Sequence, residues 1–137
     1  MNRILSAFAV ACLMIVVVTG CRGAGQIYNI KEAPVATATG KELTMEQVQK
    51  AIVEAGLSLR WIMSPDKPGH ILGTQNARSH TAVVDIDYTT KSYSITYKDS
   101  VNLNFNADKQ TIHEAYSGWV RNLDNAIKGR LMAASAQ

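Results

Sequence analysis

Residues His80–Tyr97 read HTAVVDIDYTTKSYSITY, and this stretch decides the fold class of the chain. Apolar or aromatic side chains recur at every second position on either side of a break, at Ala82, Val84, Ile86, Tyr88, Tyr93, Ile95 and Tyr97. The two-residue period predicts two strands, each with one buried and one wet face. Thr89-Thr90 lies between them and predicts a tight turn, so the stretch is typical of a β-hairpin.

Two more strands are predicted before this hairpin. Alternation from Leu57 to Met63 indicates the first, and His70–Gln75 indicates the second. Turn residues follow each of them, at Pro65–Gly69 and at Asn76–Ser79. Together with the hairpin they make a four-stranded antiparallel meander.

Tight turns also predict how the strands pair. We expect Trp61 opposite Leu72, and Leu72 opposite Val84. Val84 should in turn lie opposite Ile95, which puts all four side chains on the buried face. Ile71 then falls on the wet face as an apolar exception.

A helix is predicted on each side of the meander. Thr44 with Gln47 three residues later forms a capping box, and Gly56 is a natural end of that helix. Thr111 with Glu114 predicts the start of the last helix in the same way. Both helices carry one apolar stripe, made of Val48, Ala51, Ile52 and Ala55 in the first and of Ile112, Tyr116, Trp119, Leu123, Ile127 and Leu131 in the second. The expected fold class is α+β, with two layers and both helices on one face of the sheet.

The same patterns predict the domain boundaries. Residues 44–132 form an α-β-β-β-β-α domain, and residues 133–137 are a frayed tail. Residues 21–43 are rich in Gly, Ala and Thr and are expected to be a flexible tether. The pattern leaves open whether residues 27–30 and 101–105 add short strands.

The N-terminus is typical of an exported protein. Residues 4–18 are apolar except for Ser6, they follow Arg3, and small residues come after them. This pattern predicts a signal peptide over residues 1–20. A retained membrane helix is the weaker alternative, because it would need roughly 20 apolar residues.

Val18-Thr19-Gly20-Cys21 resembles the lipobox of bacterial lipoproteins. The resemblance implies cleavage before Cys21, a diacylglycerol on its sulfur and an N-linked fatty acid such as palmitate. Two or more acyl chains give stable attachment to a membrane. Arg22 follows, and in the sorting rule of such lipoproteins a residue other than Asp implies the outer membrane, facing the periplasm. The alternatives are the inner membrane, the cell surface, or an ordinary signal peptide with a free cysteine.

Cleavage changes the chemistry that remains. The lipobox resemblance implies that Cys12 is discarded with residues 1–20 and that Cys21 is acylated. On that expectation no disulfide, no cysteine-ligated metal and no cysteine nucleophile is possible in the mature chain. The net charge falls from +3 to +2, because Arg3 is lost. The remaining basic residues are scattered among acids, so we expect no nucleic-acid partner.

The three histidines do not have the spacing of a metal site. His70 is expected opposite Ile86, far along the hairpin from His80. His113 stands near the start of the last helix and can approach only one of the other two. We therefore expect no bound metal and no cofactor.

No catalytic residue is predicted. Asp85 and Asp87 share one face of a strand, where we expect them to be solvated beside Arg60 or Ser and Thr neighbours. Ser117-Gly118 lies inside a helix without an evident base, so it is not expected to be a nucleophile.

Three segments resemble a group of small proteobacterial lipoproteins of uncharacterised function. They are YSITY at 93–97, SVNLN at 100–104, and the helix pattern Ile112-His113, Tyr116, Trp119-Val120 and Asn122-Leu123-Asp124. The likeness extends over residues 27–128. It implies a lipid anchor and the predicted order of elements, and it brings no assigned activity.

These features favour a membrane-anchored periplasmic lipoprotein without enzymatic activity, which binds an envelope protein or assists envelope assembly. The alternative is a small-ligand carrier with a pocket between the C-terminal helix and the sheet. A hydrolase that uses His113 with an acid is a third, weaker hypothesis.

Overall fold

The structure of the protein is a computed structural model, and it describes residues 23–137. The predicted signal peptide over residues 1–20 and Cys21, the predicted site of lipid attachment, lie outside the described residues. No helix in the described part is both long enough and apolar enough to cross a membrane. The elements are, in chain order, β1 (Ala24–Gln26), β2 (Ile30–Pro34), α1 (Met45–Ser58), β3 (Ile62–Lys67), β4 (His70–Ala77), β5 (His80–Tyr88), β6 (Ser92–Val101), β7 (Thr111–His113) and α2 (Ala115–Ser135).

The fold class is α+β, as predicted, but the main sheet has five strands rather than four. Its strand order is β2-β6-β5-β4-β3, and all neighbours are antiparallel. The additional strand, β2, pairs with β6 and puts Ile30 opposite Ile95. A second, two-stranded sheet joins β1 to β7.

The prediction of a flexible tether over residues 21–43 is wrong for residues 23–43, the part that the structure describes. Both β1 and β2 belong to sheets, Leu43 is buried in the core, and the backbone N–H of Ala38 donates to Ser135 Oγ at 2.7 Å. The tail expected at residues 133–137 is also mostly ordered, since α2 continues to a buried Ser135. The folded unit therefore begins at β1 and not at residue 44.

The register of the meander differs from the prediction in all three hairpins. Leu72 lies opposite Ser64 rather than Trp61, and Ile95 lies opposite Ile86 rather than Val84. The central hairpin differs by one residue. Leu72 lies opposite Asp85, and Gly73 lies opposite Val84. The reason is a two-residue turn in which Arg78 has a left-handed φ of 57°, where a longer turn was expected. A one-residue shift moves every side chain to the other face, so Ile71 is fully buried and Leu72 is not.

The first helix begins as predicted and ends later. Thr44 and Gln47 form the capping box, with the Gln47 N–H donating to Thr44 Oγ1 and the Thr44 N–H donating to Gln47 Oε1. Gly56 lies within the helix and does not end it. Packing explains this glycine, since the Met63 side chain occupies the space that a Cβ would need. The chain reverses at Arg60, whose φ is 64°, so the next strand begins at Ile62 and continues past the expected turn at Pro65.

The capping box predicted at Thr111 and Glu114 does not form. Thr111–His113 is β7, whose backbone is satisfied by pairing with β1. The second helix begins at Ala115, and the Ala115 N–H donates to His113 Nδ1 at 3.1 Å. Of the two segments left open by the sequence, the first supplies the start of β2 and the second only the last residue of β6.

One apolar core unites the helices with the main sheet. Its fully buried members include, from the helices, Val48, Ile52, Tyr116, Val120, Leu123, Ile127 and Leu131, and, from the strands, Ile71, Val84, Ile86, Tyr93 and Ile95. The sheet thereby buries one face, as the alternation around Thr89-Thr90 predicts.

Candidate functional site

The candidate site is a groove at the end of the molecule where β1 meets the first turns of α2, and we call it the β1–α2 groove. Its volume is about 710 Å³, within the usual range of ligand sites. The side chains and glycine that shape it are Tyr28, His113, Glu114, Ser117, Gly118 and Arg121. The segment Gly25–Ile27 completes its wall.

Strand pairing builds this groove. Ala24 lies opposite His113 and Gly25 lies opposite Ile112 in the two-stranded sheet. The Ile27 N–H then donates to the Gln110 carbonyl at 2.9 Å. These bonds hold the N-terminal segment alongside the start of α2.

The groove contains one cation and one carboxylate that are free to meet a ligand. The Arg121 guanidinium carbon lies 4.6 Å from the centre of the Tyr28 ring, a cation–π contact that favours one orientation of the side chain. Glu114 lies seven residues before Arg121, which puts both on one face of the helix. Within residues 23–137 neither side chain forms an ion pair or a side-chain hydrogen bond.

His113 lies against His80, with ring centroids 6.0 Å apart and planes at 20°. His113 Nδ1 accepts the Ala115 N–H, and His80 Nδ1 faces the Asn102 carbonyl at 2.8 Å. His70 is elsewhere, opposite Asp87 rather than opposite Ile86 as predicted. The described residues contain no group of three or more His, Cys, Asp or Glu side chains that could hold a metal ion.

A second polar cluster lies on the open face of the main sheet. His70 Nδ1 meets Asp66 Oδ1 at 2.5 Å, and His70 Nε2 meets Asp85 Oδ1 at 2.8 Å. Lys98 Nζ donates to Asp85 at 3.0 Å. Asp85 is thus an ion-pair partner, and not a solvated acid beside Arg60. Asp87 is exposed on the same strand.

The same contacts shift the pKa values of this cluster. The hydrogen bonds that His70 donates to Asp66 and to Asp85 outweigh burial and raise the pKa of His70. The hydrogen bond from His70 lowers the pKa of Asp66. Burial opposes ionisation of Asp85, but the bonds from Lys98 and His70 lower its pKa overall. A histidine whose pKa is raised by two neighbouring acids holds its proton more strongly, so it is poorly suited to general-base chemistry.

Sequence reasoning missed the groove and placed its residues separately. The sequence gives no sign that His113 lies close to Ser117-Gly118, and Tyr28 falls within the predicted tether. The pairing of β1 with β7 brings them together, and three-residue strands leave no periodic signal. One signal was present: Gly118 is unfavourable inside a helix, and a Cβ built there meets no atom within 4 Å.

Comparison with known protein families, with curated proteins and with solved structures finds no match to this chain.

Proposed function

We propose that the chain is a lipid-anchored, periplasm-facing lipoprotein of the outer membrane whose folded domain binds an envelope component and catalyses no reaction. The signal peptide and the lipobox at Cys21 support the anchor, and the β1–α2 groove supports binding. An envelope protein or an envelope lipid would be the partner.

The observation that carries this proposal is the closeness of the groove to the anchor. Only residues 22 and 23 separate Cys21 from the first residue of β1, Ala24. Three residues of extended chain reach at most about 11 Å. If Cys21 is acylated, the groove is therefore held close to the membrane surface rather than at the end of a long flexible linker. A site in that position favours a partner in, or on, the membrane.

The geometry of the groove supports binding rather than catalysis. Nucleophilic catalysis needs a hydroxyl within hydrogen-bond reach of a base. Within the described residues no hydrogen bond joins Ser117 to His113, and His113 Nδ1 already accepts a backbone N–H. His113 acts there as a cap on α2.

The volume of the groove also favours the second candidate function, a small-ligand carrier. Its pocket would lie beside the two-stranded sheet. At the main sheet, Tyr93, Ile95, Leu123 and Ile127 are all at most 1% exposed, which leaves little room for a ligand.

Mass spectrometry of the mature N-terminus, combined with membrane fractionation, tests the proposal. We expect a diacylglyceryl-modified, N-acylated Cys21 and enrichment with outer-membrane proteins. An unmodified Cys21, or recovery in the soluble periplasmic fraction, would refute the anchor. A small molecule that co-purifies at equal stoichiometry would favour the carrier instead.

A further inference from the structure

We propose that the β1–α2 groove binds a zwitterionic phospholipid headgroup, a phosphate ester that carries a primary ammonium, in the leaflet that holds the anchor. This inference rests on the proposed anchor at Cys21. The lipid class with these two groups is phosphatidylethanolamine, and the occupant of the groove is its headgroup rather than a protein.

The two charged side chains of the groove match the two charges of the headgroup. The Arg121 guanidinium suits a phosphate, because its planar donors bind two oxygens at once. Its contact with the Tyr28 ring holds it ready for that role. The Glu114 carboxylate can accept hydrogen bonds from a primary ammonium, whereas the quaternary ammonium of phosphatidylcholine has no N–H to donate. One cation and one carboxylate, neither of them in an ion pair or a side-chain hydrogen bond within residues 23–137, match a ligand with both charges.

Gly118 leaves room for the headgroup in the groove. Gly118 lies between Glu114 and Arg121 on the groove side of α2. Packing does not require a glycine there, since a Cβ meets no atom within 4 Å. Glycine is unfavourable in a helix interior, yet here it keeps the groove open. Gly129 of the same helix has equally open surroundings and does not line the groove, so it is a matched control position.

The groove also lies close to the proposed anchor. The short chain between Cys21 and Ala24 places the start of β1 within about 11 Å of the acylated residue. Gly25, the next residue, belongs to the wall of the groove. A headgroup of the same leaflet is then the nearest ligand, and its local concentration at the groove is high because the anchor holds the groove at the surface of that leaflet.

The test uses the full-length lipidated protein in lipid nanodiscs and follows backbone hydrogen exchange in residues 24–28 and 113–121. We expect about tenfold slower exchange with phosphatidylethanolamine than with phosphatidylcholine, at equal anionic lipid, because a bound headgroup stabilises the closed backbone. Gly118→Leu should fill the groove and abolish the difference, whereas Gly129→Leu should preserve it. Glu114→Gln should weaken the discrimination between the two lipids.

Several outcomes would overturn the headgroup site. These are equal exchange with both lipids, a difference that survives Gly118→Leu, or the same slowing produced by inorganic phosphate without lipid. Arg121→Gln is a second variant, for the case that Gly118→Leu does not fold. It changes an exposed side chain, and it should also abolish the difference in exchange between the two lipids.

The intact mass of the same sample distinguishes a failure of the headgroup site from a failure of the proposed lipid anchor. An acylated Cys21 without lipid-dependent slowing would overturn the headgroup site and keep the anchor. An unmodified Cys21 with lipid-dependent slowing would overturn the anchor and keep the site.

Discussion

Asp124 is an acid inside the apolar core, with only 5% of its surface exposed. The Tyr93 hydroxyl donates to its Oδ1 at 2.6 Å, and Lys128 Nζ donates to its Oδ2 at 2.6 Å. Burial, together with this neighbouring carboxylate, raises the pKa of Tyr93 above its usual range. Both carboxylate oxygens are satisfied, which is what makes a buried acid tolerable.

Tyr93→Phe should therefore lower the free energy of unfolding by about 1–3 kcal/mol, because it leaves a buried carboxylate oxygen without its donor. Tyr116→Phe is the matched control. Its hydroxyl is buried without a hydrogen-bond partner in the described residues, so its removal should be neutral or stabilising. Urea denaturation of the two variants measures both effects, and equal losses would contradict the roles assigned to the two hydroxyls.

His70 makes stability depend on pH in a definite direction. Its pKa is raised in the folded state by Asp66 and Asp85. The stabilisation from this charged histidine is complete below about pH 6.5 and is lost as the pH rises through the raised pKa. Asp66 and Asp85 have lowered pKa values, so the stabilisation that these two carboxylates contribute persists until the pH falls below about 4.

His70→Gln should consequently destabilise the protein more at about pH 5 than at about pH 9. Thermal unfolding at the two pH values measures the difference. Asp85→Asn, which removes one of the two acids, should reduce the pH dependence while keeping the histidine. Equal destabilisation by His70→Gln at both pH values would show that the cluster holds no charged histidine.

At the scale of elements, α2 carries two glycines that packing does not explain. Gly118→Ala and Gly129→Ala should each raise the free energy of unfolding by about 0.5–1 kcal/mol, because alanine is the better helix former and its Cβ meets no atom at either place. Denaturation midpoints at constant m-value check this. A loss of stability at Gly118 alone would mean that the helix there is packed more closely than the structure shows.

The elements that local chemistry specifies were predictable, and those that need a distant partner were not. The Thr44 and Gln47 capping box acts within four residues, so the sequence predicts it correctly. Thr111 and Glu114 have the same spacing, but pairing of Thr111–His113 with β1 competes with that cap and prevails. The predicted register of the central hairpin is wrong by one residue, because nothing in the sequence indicates that Arg78 adopts a left-handed conformation.

At the scale of the whole molecule, the segment that precedes α1 is bound to the C-terminal end of α2. The Ala38 N–H donates to Ser135 Oγ at 2.7 Å, and Thr39 Oγ1 donates to the Ser135 carbonyl at 3.2 Å. This contact closes the fold between residues nearly a hundred positions apart. It fastens the segment that leads to α1 onto the last turn of α2.

Deletion of residues 133–137 should accordingly lower the free energy of unfolding by about 1–3 kcal/mol, since it removes the buried Ser135 and leaves the Ala38 N–H without its acceptor. Deletion of only residues 136 and 137, both exposed, is the control and should change little. Differential scanning calorimetry compares the two. An unchanged melting temperature after the longer deletion would restore the interpretation of this segment as a frayed tail.

The sequence by itself determined the α+β class, the order of the two helices and the meander, and the face of β5 and β6 that is buried. These follow from periodicity and capping, which act over a few residues. Only the tertiary structure decided that β1 and β2 belong to the fold, that Asp85 meets His70, and that a groove forms beside α2. Each of these depends on residues far apart in the chain, whose meeting is selected by the pairing of backbone groups and the burial of the whole core rather than by any local pattern.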